Sequence, residues 1–599
     1  MITPYAPKRD IVPYRPSVLD IETAANGDCI GLGFGWEDST GAIHYERFDG
    51  WEDWLAEFRA IYKASDRPTR LRLRRIYAHN GGSFDWLHFL RFLIDTEKIT
   101  ETKTYMSGSR FAAIDLKLRV AGERFTLRLR DSIMLMPGSL KVIAQTFGVE
   151  NQKIDLGDEL PEATKARDES LFWEYLRLDV RALQDSLKRF WELIYERVGS
   201  IDELPMTLPG LAMRLFRMGL TKPIPVPWNR KLKELERAAY VGGRTEAIEP
   251  GEYPEVAVYD VNSEYPAVMA AGTFPASYLG GWVTEYTGKP GIYTVRFWQP
   301  ADRGRLPLLH VKNDRGGFDY VFEGTGTYTQ PELDLLVELG GRFEVIEGYV
   351  YYETEPIFKD FIDYWYGVRL TAQAEGNDGL SYICKILMNS LYGKFGQKEE
   401  GWSIQFWDAD KMAEEVAAGT EFIEHGDIVV VRENKANETT FVGIAAFVTG
   451  YARALLFRYF MTAQDLGCTV VYCDTDSLHV IDGESLPVGS GLGALKLEYV
   501  GSASYAGKKL YRLHDIDKVK AKGIGRRAAQ MLTREDFKRV LAGGSILIPF
   551  TAFPTPLEVL SGQRPPAVML DRARTIRVTA NPQYRGVQNG QLRQHATGD

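Results

Sequence analysis

Two kinds of hydrophobic pattern share the first third of the chain and predict an α/β unit there. Alternation of apolar and polar residues favours strands, and apolar recurrence every three to four residues favours helices. The predicted elements are strands at 17–23 and 30–36 and helices at 51–63, 86–96 and 168–197. Pro205 and Pro209 lie in a segment, 199–209, that we interpret as the boundary of this unit.

The remainder of the chain predicts a mixed unit of helices and strands with two insertions. Its predicted elements are strands at 255–262 and 291–297, helices at 355–375, 379–395 and 441–464, and a strand–turn–strand at 468–482. The turn-rich segments 298–354 and 398–440 interrupt this pattern, and we interpret them as inserted modules. From about residue 581 the chain is polar and rich in Gln and Asn, which is typical of a mobile tail.

The bulk composition is that of a soluble enzyme with several domains. With 599 residues the chain is too long for one hydrophobic core, and its 45% hydrophobic and 26% charged residues are ordinary for a globular protein. No apolar run approaches the roughly 20 residues that cross a bilayer, and the first residues carry no export signal. We therefore expect no membrane partner. The four scattered cysteines favour a reduced compartment over a zinc site.

The net charge of −9 argues weakly against nucleic acid as a partner, because neutralising phosphates requires Lys and Arg. Basic residues are nevertheless concentrated at 70–75 and at 518–522, with Arg526 and Arg527 nearby. These clusters are either solvated faces or parts of a basic DNA channel in a protein that also gathers carboxylates for metals.

The segment Tyr472-Cys-Asp-Thr-Asp-Ser477 carries the strongest chemical signal. It joins two apolar, β-branched runs, which predicts a β-hairpin with Asp474 and Asp476 near its tip. Residues i and i+2 of an extended chain share a face, so both carboxylates can point the same way. A divalent cation would relieve their repulsion. The alternative is a plain polar turn, because Asp and Ser favour turns by themselves.

Two further segments have the composition of a nucleotide site. Asp260 ends a predicted strand in Tyr259-Asp-Val-Asn-Ser-Glu-Tyr-Pro266 and can supply a third carboxylate to a two-metal phosphoryl-transfer centre. Lys385, Asn389 and Tyr392 form one polar line on a predicted helix, beside an apolar stripe. An ammonium, an amide and a ring together suit a nucleoside triphosphate, although many amphipathic helices have a mixed polar face.

A second group of acids lies in the first unit. Asp20 and Glu22 share one face of a predicted strand, and Asp85 follows another strand. Asp179 lies one helical turn after Tyr175. Asp-x-Glu alone is worthless as a signal, but four acids in this order, with a tyrosine one turn before the last, resemble the exonucleases in which acids hold two metals and a tyrosine orients the attacking water.

The polymerase-type segments, in this order, resemble motifs A, B and C of the family B DNA polymerases and are most similar to the protein-primed subgroup of phages and linear plasmids. The matches read Asp-Val-Asn-Ser-x-Tyr-Pro, Lys-x3-Asn-Ser-Leu-Tyr-Gly-Lys-Phe and Tyr-Cys-Asp-Thr-Asp-Ser. The acids of the first unit resemble the DEDD, RNase H-like exonuclease that edits in this family. The resemblance implies an α/β and α+β multidomain fold, with that exonuclease domain followed by a right-hand polymerase of palm, fingers and thumb.

The resemblance also implies roles for individual residues. The catalytic residues of synthesis would be Asp260, Asp474 and Asp476, and those of editing Asp20, Glu22, Asp85, Asp179, Tyr175 and Lys153. The metal ligands would be Asp260, Val261 and Asp476 in one centre and Asp20, Glu22, Asp85 and Asp179 in the other. The residues at the incoming nucleotide would be Tyr265, Arg369, Lys385, Asn389 and Tyr392. The residues at DNA would be Thr23, Asn80, Phe84, Ser139, Leu140, Tyr240, Gly242, Gly243, Lys509 and Tyr511.

Two of these assignments carry a structural expectation. Gly242 and Gly243 would let the backbone approach the template strand closely. Three residues separate Asn80 from Phe84 where many members of the family have two, so we expect a bulge there that displaces Asn80.

The implied division of the chain has eight parts. They are the exonuclease domain at 1–198, the first part of the palm at 199–297, insertion 1 for a terminal protein at 298–354, the fingers at 355–397, insertion 2 for strand displacement and processivity at 398–440, the second part of the palm at 441–530, the thumb at 531–580 and the tail at 581–599.

The implied function is DNA-directed DNA synthesis with 3′–5′ proofreading, primed by a protein. The expected cofactor is Mg²⁺, two ions per active site, with Mn²⁺ as a substitute. The expected partners are template and primer DNA, dNTPs and a terminal protein. We expect a monomer, encoded by a virus or plasmid, in the host cytoplasm or in an organelle. Two alternatives stay open: a polymerase that uses ordinary or self-made nucleic-acid primers, and a replication scaffold without turnover.

Overall fold

The computed structural model describes most of the chain. The described residues are 1–8, 11–24, 26–151, 160–301, 305–314, 316–398, 400–434, 440–523, 526–552, 554–564, 570–576, 587–588 and 591–592. No helix in these ranges is both long enough and apolar enough to cross a membrane.

The first domain is built on a seven-stranded sheet in the order β3-β2-β1-β4-β7-β6-β5. Its strands are β1 (Ser17–Thr23), β2 (Cys29–Glu37), β3 (Ile43–Phe48), β4 (Arg75–Ala78), β5 (Ile99–Ser107), β6 (Arg110–Val120) and β7 (Glu123–Asp131). Its helices are α1 (Trp51–Ala64), α2 (Arg67–Leu73), α3 (Asp85–Asp95), α4 (Leu140–Phe147), α5 (Pro161–Arg167) and α6 (Glu169–Val198). The central strand β4 is parallel to both β1 and β7, so the ends of these strands meet at one edge of the sheet.

A second seven-stranded sheet, in the order β25-β24-β23-β9-β22-β21-β8, lies at the centre of the polymerase-type region. Its strands are β8 (Thr245–Ala247), β9 (Gly251–Val261), β21 (Thr469–Asp474), β22 (Ser477–Ile481), β23 (Leu495–Gly507), β24 (Leu510–Leu513) and β25 (Lys518–Ala521). Alternating buried residues on β9, β22 and β23 pack this sheet against its neighbours. The predicted hairpin at 468–482 forms the pair β21–β22.

The helices of this region pack largely on one another, and the longest of them also packs on β21 and β22. The helices are α7 (Leu208–Met218), α8 (Arg230–Ala239), α9 (Glu264–Ala271), α11 (Lys359–Ala374), α12 (Asp378–Phe395) and α14 (Val442–Asp465). Helix α12 begins at Asn377, whose side chain accepts a hydrogen bond from the Leu380 N–H. Its predicted apolar stripe is fully buried, and so the polar line with Lys385 faces outward.

The first insertion is a sheet in the order β11-β16-β12-β15, with a helix and a small hairpin. The elements of this segment and its flanks are β10 (Phe274–Pro275), β11 (Gly280–Val283), β12 (Gly291–Trp298), β13 (His310–Lys312), β14 (Phe318–Tyr320), β15 (Glu323–Thr329), α10 (Gln330–Glu338), β16 (Arg342–Tyr351) and β17 (Thr354–Glu355). The expected boundary at residue 298 cuts through this sheet. As a structural unit, the insertion therefore begins near Gly280 rather than at 298, because β11 and β12 pair with its later strands.

The second insertion docks on the first domain. It contains β18 (Glu400–Gln405), α13 (Ala409–Ala417), β19 (Phe422–His425) and β20 (Ile428–Asn434). Hydrogen bonds run from Thr104 Oγ1 to the Ile404 carbonyl, at 2.7 Å, and from the Phe406 N–H to Thr102 Oγ1, at 2.8 Å. The edge strand β5 is thereby covered, which protects it from pairing with other chains.

The last part of the chain returns to the first domain. Its elements are α15 (Arg526–Gln530), α16 (Arg534–Leu541), β26 (Ile546–Ala552), α17 (Pro556–Leu560), β27 (Leu570–Ile576), β28 (Val587–Gln588) and β29 (Gln591–Leu592). Val559 and Leu560 are buried in the same apolar cluster as the exonuclease-type sheet. In the expected tail at 581–599, only the short pair β28–β29 is among the described residues.

Candidate active sites

Strand register brings two carboxylates together in the polymerase-type sheet. Asp260 lies on β9 opposite Ser477 of β22, and the Val261 N–H donates to the Asp476 carbonyl at 2.7 Å. Burial and the nearby Asp260 raise the pKa of Asp476 to about 6. Burial and Glu498 raise the pKa of Asp260 as well. Burial and neighbouring carboxylates hinder the ionisation of both acids, which suits a shared divalent cation.

Asp474 has different surroundings from Asp476. Its Oδ1 accepts hydrogen bonds from Lys509 Nζ at 2.5 Å and from Thr245 Oγ1 at 3.0 Å. The turn between the two acids is tight, because Thr475 has a φ of 66° and the Asp476 N–H donates to the Asp474 carbonyl at 2.8 Å. Asp474 is thus engaged by protein groups, as suits a supporting carboxylate.

A cleft of about 660 Å³ opens beside these acids. The nucleotide-site candidates on its walls are Arg369, Lys385 and Asn389, together with Asp260, Val261 and Asp476. Arg369 lines the cleft and donates to Ser263 Oγ at 3.1 Å. Tyr265 and Tyr392 stack on each other with ring centroids 4.4 Å apart. Neither of these two residues lines the cleft.

Three of the four expected editing acids form a compact cluster. Carboxylate oxygens of Asp20, Glu22 and Asp179 lie within 4.8 Å of one another. Asp85 begins α3 outside that group, and its Oδ1 is buried without a hydrogen-bond partner among the described residues. Burial, then Asp131 and Glu22, raise the pKa of Asp85. Tyr175 lies one turn before Asp179 on α6 and is half-buried.

The chain resembles known DNA polymerases in sequence. Residues 158–443 match the family described as DNA polymerase type B, organellar and viral. The DNA-directed DNA polymerase of Enterobacteria phage PRD1 is 28% identical over 542 residues, which cover 86% of each chain. A probable DNA polymerase of Ascobolus immersus is 24% identical over 581 residues, or 85% of this chain but 47% of that protein, so the chain spans about half of that relative.

A solved structure of phi29 DNA polymerase, with primer-template DNA and incoming nucleotide substrates, also matches this chain. The match covers 94% of this chain and 100% of the phi29 chain. The TM-score is 0.69 at 21% identity, which establishes a shared fold of exonuclease, palm, fingers and thumb. The chain is similar to type B DNA polymerases in sequence and in fold. The expected fold class is therefore confirmed.

The loop Tyr240–Gly243 contacts protein at Tyr240 and Gly243. A Cβ on Gly243 would lie 2.7 Å from Thr475 Cγ2 and 3.1 Å from the Tyr265 hydroxyl. The Tyr240 ring occupies the space beside Gly396, at the end of α12. Gly243 is thus required by the catalytic turn, whereas Gly242 is exposed and has nothing within 4 Å of its missing side chain.

The remaining DNA-contact candidates of the synthesis site lie on β24 and the turn before it. Lys509 has a φ of 54° and holds Asp474, while its N–H donates to the Tyr472 hydroxyl at 3.0 Å. Tyr511 is largely buried among Tyr472, His479 and Tyr505, so only a small part of it is accessible.

The extra residue after Asn80 is accommodated in a 3₁₀ turn, Gly81–Ser83. Asn80 has a φ of 65°, and its Oδ1 accepts a hydrogen bond from Arg110 at 2.9 Å. Phe84 follows the turn, with its ring centroid 5.0 Å from that of His88. The expected bulge is thus a defined turn that ties Asn80 to Arg110.

Three further editing candidates lie on other elements of the first domain. Thr23 ends β1 and is half-buried. Ser139 is the N-cap of α4 and accepts from the Val142 N–H at 3.4 Å, and Leu140 packs partly against the core. Lys153 lies outside the described residues.

Three charged residues at the two sites were not predicted from the sequence. Asp131 ends β7 and accepts from the Gly82 and Ile133 N–H groups, both at 3.2 Å, and burial raises its pKa to about 6. Lys496 of β23 lies 3.2 Å from Asp260 Oδ2. Glu264 begins α9, and burial, Asp476 and Asp260 raise its pKa well above the usual range. Only Glu264 had a local signal, since it lies inside the motif that contains Asp260.

Proposed function

We propose that this protein is a type B DNA polymerase that couples template-directed synthesis to 3′–5′ proofreading, and that each activity uses a pair of Mg²⁺ ions. The observation that carries the proposal is the presence of two separate groups of acids: Asp20, Glu22 and Asp179 in the first domain, and Asp260 and Asp476 at the second seven-stranded sheet. The chemistry of the donors fits divalent cations, because carboxylate oxygens are the ligands that Mg²⁺ prefers. The buried, unpartnered Oδ1 of Asp85 fits the same reading.

In the proposed synthesis site, Asp260 and Asp476 hold the metals and Asp474 supports them. When bound, a pair of divalent cations stabilises charge on the attacking and leaving oxygens. Lys385 and Arg369 contact the triphosphate from the cleft wall, and the neighbouring Asn389 contributes its amide. Tyr265 packs beside the sugar and excludes ribonucleotides, while Tyr392 packs on the nascent base pair.

In the proposed editing site, Asp20, Glu22, Asp85 and Asp179 hold the metals. Tyr175, one helical turn before Asp179 on α6, orients the attacking water toward the terminal phosphate. Thr23, Asn80, Phe84, Ser139 and Leu140 guide the single-stranded end. The ring of Phe84 suits this task because stacking on bases is tolerant of sequence.

The natural partners that we propose are template and primer DNA, dNTPs and a terminal protein that supplies the priming hydroxyl. Two inserted modules support protein priming, since the resemblance places such modules in the protein-primed subgroup. We propose a monomer that works in the cytoplasm of a phage- or plasmid-bearing cell, or in an organelle. Extension of ordinary nucleic-acid primers remains the alternative.

Reciprocal substitutions test the two activities. We expect Asp476→Ala to abolish nucleotide incorporation while the degradation of single-stranded DNA continues at the wild-type rate. We expect the double variant Asp20→Ala, Glu22→Ala to do the opposite. Both reactions are measured on one labelled oligonucleotide, with and without template. Substantial synthesis by the first variant, or continued degradation by the second, refutes the corresponding metal site.

The priming mode has a separate test. The protein is incubated with labelled nucleotide, Mg²⁺ and candidate terminal proteins, and denaturing gels are examined for a covalent protein–nucleotide adduct. An adduct that disappears in Asp476→Ala supports protein priming. Its absence with every candidate, while DNA primers are extended normally, favours the alternative.

A further inference from the structure

The loop from Val241 to Arg244 packs directly on the catalytic turn. The Thr475 N–H donates to the Arg244 carbonyl at 2.7 Å, and Gly243 leaves room for both Thr475 and the Tyr265 hydroxyl. A displacement of this loop would therefore move the turn that carries Asp474 and Asp476, and also the tyrosine beside the nucleotide.

Arg453, on α14, holds the outer side of this loop. Its NH1 group donates to the Val241 carbonyl and to the Gly242 carbonyl, the latter at 3.1 Å. Its Nε donates to Glu332 Oε1 at 2.9 Å. Arg453 and Glu332 are 5% and 2% exposed, so this ion pair is shielded from water and its geometry is closely defined.

Glu332 is itself fixed within the first insertion. It lies in the first turn of α10, where its Oε2 accepts from the Thr329 N–H at 3.1 Å and from Thr329 Oγ1 at 2.8 Å. The two helices approach closely at Gly450, because a Cβ there would lie 2.1 Å from Thr329 Oγ1. Arg453 thus connects a rigid corner of the insertion to the loop.

Arg244 connects the other end of the loop to the same insertion. Its NH1 group donates to the Pro307 carbonyl at 2.8 Å, and its guanidinium lies 3.9 Å from the ring centroid of Tyr320. Its Nε donates to Glu246 Oε2 at 2.8 Å. Both ends of the loop are therefore held by buried arginines whose partners include the first insertion.

We infer that Arg453 is a positioning residue through which the first insertion sets the geometry of the catalytic turn and the nucleotide site, and so the balance between synthesis and editing. The inference rests on the proposed synthesis and proofreading activities. Arg453 is not among the described residues that line the cleft. Lysine cannot replace it, because a single ammonium lacks the planar fork that spans two carbonyls and a carboxylate.

The test compares Arg453→Lys with Arg458→Lys. Arg458 pairs with Glu338 at 2.9 Å and joins the same two helices, α14 and α10, but at the exposed surface and away from the loop. Wild type and both variants are assayed for the dNTP concentration at which extension of a primer balances its degradation, for the nucleotide KM and kcat, and for degradation of single-stranded DNA without dNTPs.

We expect Arg453→Lys to raise the nucleotide KM and the balance concentration by about tenfold, the effect of losing one charged hydrogen bond. Single-strand degradation should stay at the wild-type rate, and Arg458→Lys should match wild type throughout. Glu332→Gln, which keeps the shape but removes the charge, should shift the balance in the same direction if Arg453→Lys does not fold.

Three outcomes overturn the inference: an unchanged balance concentration in both Arg453→Lys and Glu332→Gln, an equal shift in Arg458→Lys, or a parallel fall of both activities with thermal stability. A wild-type protein that fails to synthesise or to degrade DNA refutes the proposed function instead, so the two failures are distinguishable.

Discussion

At the scale of single residues, side chains that are adjacent in sequence have different tasks because their surroundings differ. Asp474 and Asp476 are two positions apart in sequence. Lys509 and Thr245 donate hydrogen bonds to Asp474, whereas the neighbouring Asp260 raises the pKa of Asp476. The sharp turn at Thr475, with its φ of 66°, separates the two environments. The β-hairpin could be predicted from its alternating pattern, but the partners of each carboxylate depend on strands that are distant in sequence.

A buried acid on α8 gives a prediction about pH. Burial raises the pKa of Glu236 to about 8, although Tyr351 donates a hydrogen bond to it at 2.8 Å. Between pH 4.5, where the unfolded acid ionises, and about 8, the folded state retains a proton that the unfolded state has lost. Rising pH therefore lowers the stability of the folded state across this window.

We expect Glu236→Gln to remove this dependence. The stability difference between the variant and wild type should grow from near zero at pH 4.5 to on the order of 2–4 kcal/mol at pH 8. Urea unfolding in chelator at several pH values measures it. Glu234→Gln, at an exposed position of the same helix, is the control and should show no such growth. A constant difference for Glu236→Gln contradicts the prediction.

At the scale of elements, the turn before α3 decides where Asp85 lies. Gly82 packs against β6, and a Cβ there would lie 1.8 Å from the Phe111 carbonyl oxygen. Its N–H donates to Asp131, which in turn raises the pKa of Asp85. No rotamer change can relieve a clash with backbone, so any side chain at Gly82 must move the turn and the acid that follows it.

We therefore expect Gly82→Ala to reduce single-strand degradation by about a hundredfold, as is usual when a catalytic group moves by about 1 Å. Primer extension should persist, because the synthesis site shares no residue with this turn. Gly50→Ala is the control, since nothing lies within 4 Å of the added methyl group. Equal degradation rates for Gly82→Ala and wild type would show that the turn tolerates a side chain.

Local patterns predict elements better than they predict contacts between elements. The strands at 17–23 and 468–482, the helix at 168–197 and the acids on them have strong local signals, and the structure has these elements within about two residues of the expected positions. The start of the first insertion was expected at 298, too late in the chain. The pairing of β11 and β12 with β16 links segments far apart in sequence, so local patterns do not reveal it. Asp131 and Lys496 belong to no motif, so only the register of the sheets could have identified them.

At the scale of the whole molecule, the exonuclease-type domain is joined to both the second insertion and the end of the chain. The three parts meet at Arg91 of α3. Its guanidinium pairs with Asp427 of the insertion at 2.9 Å and donates to the Leu560 carbonyl of α17 at 3.1 Å. Gly426 packs on the same corner, since a Cβ there would lie 2.5 Å from the Ser561 carbonyl oxygen. Contacts thus run without a break from the first domain through the insertion to the last helix.

Such a junction restricts the separation of these parts around bound DNA, and this gives a prediction about processivity. We expect Arg91→Ala to shorten the products made in one binding event by about fivefold, with a larger effect at higher salt, because one charged contact between parts is worth a modest free energy. Single-turnover incorporation should be unchanged, since the cleft is remote in the fold. Extension with excess trap DNA measures the product length. The control is Arg59→Ala, which removes the same charge from the same domain but breaks only the internal pair with Glu123, at 2.9 Å. Equal product lengths in the two variants would show that loss of surface charge, and not loss of the junction, determines how long the polymerase stays on DNA.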